Sequence, residues 1–185
     1  MSWIQTYLGR QFFPLDPNWQ AVDIHDIAHA LSNLCRYGGH TESFYSVAQH
    51  SVLVSLACDP QDAFYGLLHD ASEAYLVDVP RPIKHSNGMA AYREAENALE
   101  HAIAIAFGLP REMPPSVKRA DNILLVTEQR DLMKSLPAPW TDCGVEPLAE
   151  EIQPWLPQEA KARFLRRFDQ LRTIPAIGTE LGYKL

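Results

Sequence analysis

The sequence predicts an all-α fold in a single domain, on three observations. Apolar residues recur at threes and fours in six stretches, and no internal repeat or series of alternating strand patterns interrupts them. The length of 185 residues, against a prior of about 150 per domain, leaves room for one domain, residues 1–185, with a tail. A proper core is available, because 46% of the residues are hydrophobic and 21% charged. Those proportions exclude collagen-like, low-complexity and wholly disordered chains.

Residues 1–19 carry Gly9, Pro14 and Pro17 among aromatics, a composition for a short extended or hairpin segment lying on the domain. Over residues 23–34, Ile24, Ile27, Ala28 and Leu31 keep helical spacing, and Asp23 can cap the start. Arg36-Tyr37-Gly38-Gly39-His40 breaks that pattern. A second helix is expected over about 46–58, with Val47, Val54 and Ala57 sharing a face with His50. Asp59-Pro60 restarts a third, aspartate as N-cap and proline in the first turn. It turns Ala63, Phe64, Leu67, Leu68 and Ala71 inward and delivers His69-Asp70 near its end. Val79-Pro80-Arg81-Pro82 should forbid further helix and form a stiff loop. Residues 89–107 are the longest amphipathic run, with Tyr92, Leu99, Ile103 and Ala106 inward, Arg93, Glu94 and Glu96 on a solvated side, and Gly108 as the stop. Pro114-Pro115-Ser116 opens a fifth helix through Asp121, Leu124, Leu125, Glu128 and Leu132. The proline-rich residues 137–157 read as irregular, a last helix spans about 158–171, and residues 175–185 are expected to be a loose tail.

Acidic residues outnumber basic ones 23 to 16, a net charge of −7, so binding to polymeric nucleic acid is not expected. A small anionic ligand in one locally positive pocket is compatible with that sum. Cys35, Cys58 and Cys143 form no close pair, which excludes a disulfide framework and a zinc ribbon. The start lacks a basic region followed by an apolar run, and no apolar stretch reaches the roughly 18 residues that a membrane span needs. The expectation is a cytoplasmic protein without a membrane partner.

Chemistry concentrates on His50, the adjacent His69 and Asp70, and Asp121, which fall on three separate expected helices. Two imidazoles and two carboxylates suit one divalent ion of Mn, Fe, Co, Ni or Zn and leave positions for water or a substrate oxygen. The apolar run Phe64-Tyr65-Gly66-Leu67-Leu68 puts His69-Asp70 at the end of a buried helix, where an unpaired charge is expensive and a metal would offset the cost. Glu73 follows His69 by four residues and would share its face if the helix continued, as a general acid/base beside an activated water. Arg36, Lys84 and Lys118 supply the cations that phosphate recognition needs. The plainer readings are a solvated Glu73 at a helix end, Asp78 capping the turn before Pro80, Arg36 paired with Glu42, and two surface lysines.

His50, His69-Asp70 and Asp121 in that order resemble the HD-superfamily metal-dependent phosphohydrolases. Further stretches carry the likeness: Ile4-Gln5-Thr6, Leu31-Ser32-Asn33-Leu34-Cys35-Arg36-Tyr37-Gly38-Gly39-His40, Phe44-Tyr45-Ser46-Val47-Ala48-Gln49-His50-Ser51, His69-Asp70-Ala71-Ser72-Glu73-Ala74-Tyr75 and Lys118-Arg119-Ala120-Asp121. Together they look like the small single-domain YfdR-like branch, over most of the chain through about Arg130. The resemblance implies a helical HD domain acting on deoxynucleotide phosphates, close to the 5′-deoxynucleotidases and the phage dATP triphosphohydrolases, as a homo-oligomer. It implies metal ligation by His50, His69, Asp70 and Asp121, and a proton-relaying Glu73. It implies phosphate contacts from Arg36, Lys84 and Lys118, a sugar hydroxyl on Asp78 and a nucleoside packed on Tyr37. The expected activity is 5′-deoxynucleotidase action on monophosphates. The alternatives are a triphosphohydrolase releasing tripolyphosphate, and a non-catalytic nucleotide-binding or scaffold protein with a structural metal.

His25-Asp26-Ile27-Ala28-His29 is a second His-Asp pair whose histidines stand four apart, like a zincin helix with Asp in place of Glu. The shorter carboxylate and the missing third ligand argue against a protease. His25 is expected to face water and His29 to pack on the core.

Overall fold

Local capping chemistry starts the first two helices where the sequence places them. Asp23 Oδ1 accepts the His25 N–H at 2.9 Å and begins α1 (Ile24–Asn33). Ser46 Oγ accepts the Gln49 N–H at 3.1 Å and begins α2 (Val47–Ala57). The computed structural model describes residues 2–135, 137–138, 140 and 143–173, and the fold is mainly α. The expected tail at 175–185 lies outside the described residues. Before α1, strands β1 (Ile4–Gln5) and β2 (Gln11–Phe12) pair antiparallel, Ile4 opposite Phe12, as the hairpin reading expected. The buried Phe12 ring stacks on Tyr75, 4.1 Å between centroids, and fastens the hairpin to the body.

The third helix differs from its expected course. Residues 60–62 form a single 3₁₀ turn and Asp59 makes no capping bond, so α3 (Ala63–Leu68) is short. At His69 the chain tightens, with Ala71 N–H bonded to Leu68 O and Glu73 N–H to Asp70 O, before α4 (Glu73–Leu76). Three-residue closure eclipses residues three apart, so Glu73 stands over Asp70 rather than over His69. The proline loop also needs correction. Arg81–Lys84 is a short helix, α5, because Pro82 sits in its first turn, where the missing N–H has no helical partner to lose.

Helix α6 (Ala90–Phe107) ends on Gly108 at φ 69°, and α7 (Pro115–Leu132) and α8 (Pro157–Thr173) lie close to their expected bounds. Residues 143–156 are irregular, as expected of that stretch. Glu96 is not on a solvated face: it is 5% exposed and accepts from Lys84 Nζ at 2.6 Å.

The central element is α2, packed against α1, α3, α7 and α8, so it is buried nearly all round rather than on one face. One wall is apolar: Ile27, Leu31, Val47, Val52, Leu67, Leu99, Phe164 and Phe168. Each such side chain stabilises by about 1.5–3 kcal/mol when fully buried. The other wall joins Val54 to Val117, Ala120 and Leu124 of α7. Gly66 lets α3 close on α2, since a Cβ there would sit 2.9 Å from Cys58 Sγ and 3.2 Å from the Ser55 Cα. Among the described residues no helix is long and apolar enough to cross a membrane.

Candidate metal centre

Three segments remote in sequence meet beside α2. His50 projects from its middle, His69 and Asp70 from the tight turn after α3, and Asp121 from α7. His50 Nε2 lies 3.3 Å from Asp121 Oδ1 and 3.6 Å from Asp70 Oδ2. His69 Nε2 lies 3.2 Å from Asp70 Oδ2, and the two rings are 5.2 Å apart. Ligand atoms of His50, His69 and Asp121 all fall within 4.8 Å of one another. Three of the four expected ligands thus share one cluster, and Asp70 borders it through Oδ2 beside both rings without joining that mutual spacing.

Both rings are oriented from behind. His69 Nδ1 lies 2.8 Å from the Gly66 carbonyl, which only accepts, so Nδ1 carries the proton. That carbonyl belongs to the last turn of α3, where a helix end leaves acceptors without backbone partners. His50 Nδ1 lies 2.6 Å from Glu128 Oε1, a carboxylate held down to about 2. Burial opposes that ionisation, and Arg36 and His50 outweigh it. Both Nε2 atoms are buried and lack a hydrogen-bond partner. Two oriented imidazole nitrogens facing two carboxylates could hold a divalent transition metal, each histidine braced by an acceptor on its far nitrogen.

The charged groups of the cluster shift one another strongly. Burial and Arg36 disfavour charge on His50, yet Glu128 and Asp121 overcome them and raise it to about 9. Asp70 and Asp121 are held well below the usual carboxylate range despite burial, Asp70 chiefly by His69 and Asp121 chiefly by His50. Glu73 goes the other way: burial, then Asp70 and Asp78, push it well above the usual value. Its Oε2 is buried without a partner. Asp78 is half-buried and raised by burial. It follows Val77, whose φ of 63° and ψ of 161° lie where β-branched residues rarely go, and the Val77 carbonyl accepts from Tyr92 OH at 3.0 Å.

Each expected phosphate-binding cation is paired within the chain. Arg36 lies 3.4 Å from Asp70 and 3.5 Å from Glu128, while Glu42 pairs with Lys134 at 3.2 Å instead. Lys84 is held by Glu96, and the exposed Lys118 donates to Asp121 Oδ2 at 2.7 Å. Tyr37, at φ 55°, gives its hydroxyl to Glu128 Oε2 at 2.5 Å, with its ring 5.8 Å from that of Trp140.

Sequence reasoning assigned no role to Glu128, which is fully buried and also accepts from Tyr45 OH at 2.8 Å. The signal was present. A glutamate at an apolar-face position of α7, between Leu124 and Leu132, must be buried and must have partners.

No family model matches the chain. It is 40% identical over 173 residues to the uncharacterized protein YfdR of Escherichia coli strain K12, spanning 92% of this chain and 96% of that one. It is 37% identical over 128 residues to an uncharacterized protein of Rhodobacter capsulatus, spanning 64% of this chain and 65% of the relative.

Proposed function

This chain belongs to the YfdR family, and we propose that it is a metal-dependent phosphohydrolase of the HD superfamily that removes the phosphate from deoxyribonucleoside monophosphates. One observation carries the reading: His50 Nε2 and His69 Nε2, buried and without hydrogen-bond partners, converge on the carboxylates of Asp70 and Asp121. A single ion of Mn, Fe, Co, Ni or Zn fits that donor set, and when bound it would polarise a phosphoryl oxygen and acidify water.

The chain's own groups do the rest. Glu73 takes a proton from the attacking water and returns it to the sugar oxygen as the new P–O bond forms and the ester P–O bond breaks. Burial is the first cause of the raised Glu73 and the Asp70 charge the second, and a cation held at Asp70 would offset that second cause and favour the base form. Arg36, Lys84 and Lys118 turn part of their charge toward the phosphoryl oxygens, and Asp78 accepts from a sugar hydroxyl. The charge balance supports the monophosphate. Among the described residues each of these three cations already faces a carboxylate, so a dication with this set matches one phosphoryl group better than three.

The test is a panel of dAMP and dATP with protein loaded with each metal. Chelator-sensitive release of inorganic phosphate from dAMP is expected. Tripolyphosphate from dATP would move the reading to the triphosphohydrolase, and a stoichiometric ion with no turnover of either would make the centre structural. Glu73→Gln is expected to keep ion and nucleotide while losing about 10²–10⁴-fold in rate; a variant as fast as the parent removes Glu73 from the mechanism.

A further inference from the structure

Helix α7 meets the His50 imidazole at both of its nitrogens. Asp121 Oδ1 stands 3.3 Å from Nε2 and Glu128 Oε1 2.6 Å from Nδ1, from residues seven apart and therefore on one face of the helix. Glu128 has no exposed surface, and its other oxygen is occupied as well: Oε2 accepts from Tyr37 OH and lies 3.5 Å from the Arg36 guanidinium. Tyr45 OH shares Oε1 with His50. A buried carboxylate with so many donors is a poor choice for stability alone, since a well-packed apolar residue of similar volume is often neutral or better. The arrangement needs a reason in what it orients.

We propose that Glu128 is a positioning residue of the metal centre, fixing the His50 ring through Oε1 and the Arg36 guanidinium through Oε2, so that a metal ligand and a phosphate-binding cation share one anchor. The inference rests on the metal-centre reading above and extends it to a residue that would touch neither metal nor substrate. With Nδ1–H committed to Glu128, Nε2 is the nitrogen left to a metal, and it faces His69 and Asp121. With Arg36 on the same carboxylate, the distance between the cation and His50 is set by one side chain.

Glu128→Gln tests this because an amide keeps the volume but has one acceptor oxygen. Its NH₂ must face either the His50 Nδ1–H or the Arg36 guanidinium, donor against donor. Cobalt(II) titration followed by the visible absorption of the bound ion is expected to give an affinity about 10–100-fold below the parent. Binding of inorganic phosphate to the cobalt-loaded protein should weaken too. Tyr45→Phe is the folding control: it removes one neutral donor from the same oxygen, and is expected to hold cobalt within about threefold of the parent. Folded Glu128→Gln that binds cobalt as tightly as the parent overturns the proposal, as does Tyr45→Phe losing the ion to the same extent. The parent offers a measurement that needs no variant. In the zinc-loaded chain, long-range ¹H–¹⁵N spectra should show the His50 proton on Nδ1 and zinc on Nε2; the reverse tautomer overturns the proposal. A parent that binds neither cobalt nor zinc overturns the metal-centre reading itself, and the inference with it.

Discussion

His25-Asp26 and His69-Asp70 are the same dipeptide in two regions of one chain, and the fold gives them unlike surroundings. The first pair lies in the opening turn of α1, where consecutive side chains diverge by about 100° around the helix. His25 accordingly points to water, and Asp26 points inward to accept the Leu8 N–H at 2.7 Å, tying the hairpin to the domain. His29, one turn on, stacks on Tyr7 at 3.8 Å, with Lys161 Nζ 3.3 Å from its Nδ1. An ammonium beside that imidazole repels the dication a zincin-like site would require. The second pair leaves α3 through a tight turn, faces His50 on α2, and has Asp121 of α7 within reach. A dipeptide becomes a candidate site when other segments bring complementary donors to it; on α1 they bring a backbone amide and a lysine.

The largest expected difference between the two regions is in metal binding. His69→Ala should weaken ion affinity beyond the roughly 10–100-fold cost of disturbing a ligand's outer partner, measured by equilibrium dialysis with zinc. Loss of the ion from His25→Ala instead would invert the comparison. Asp26→Ala comes next, on stability rather than on metal: the Leu8 N–H loses its acceptor, and urea unfolding should show a loss of about 1–3 kcal/mol with zinc affinity unchanged. If zinc affinity falls in parallel, the α1 pair reaches the centre by a route that the geometry does not predict. The smallest effect belongs to His25→Ala, an exposed position expected to stay within about ±0.5 kcal/mol of the parent. A larger shift in the unfolding midpoint would mean that His25 packs against something in solution.

Much of the molecule was legible because it follows short-range rules. Asp23 and Ser46 cap where capping residues should, Gly108 ends α6, and the hairpin forms where Gly9 permits a turn at φ 76°. The His69-Asp70 corner of the candidate cluster was legible for another reason: a histidine and an aspartate after the apolar run at residues 64–68 are costly unless something compensates them. The course of the chain after Leu68 was harder to read. Helical propensity allows Ala71-Ser72 to continue α3, and only the packing of the following segment converts it to a tight turn that brings Glu73 over Asp70. Glu96 was misread because spacing assigns a face to a residue without saying what lies opposite. The Lys84 ammonium arrives there from the short helix α5 and makes burial tolerable.

Residue order alone determined the helical class, most helix starts and stops, and which imidazoles and carboxylates were candidates for a shared centre. These are consequences of backbone sterics, capping and the cost of desolvating charge, all of which act within a few residues. Tertiary structure decided the pairings: Glu128 behind His50, Glu96 on Lys84, Arg36 between Asp70 and Glu128 rather than on Glu42. Partners separated by 78 or 92 positions are chosen by how α7 and the segment before α2 pack around that central helix. In a buried space an ionic group takes whichever opposite charge the packed helices bring within reach, because water is no longer there to serve instead.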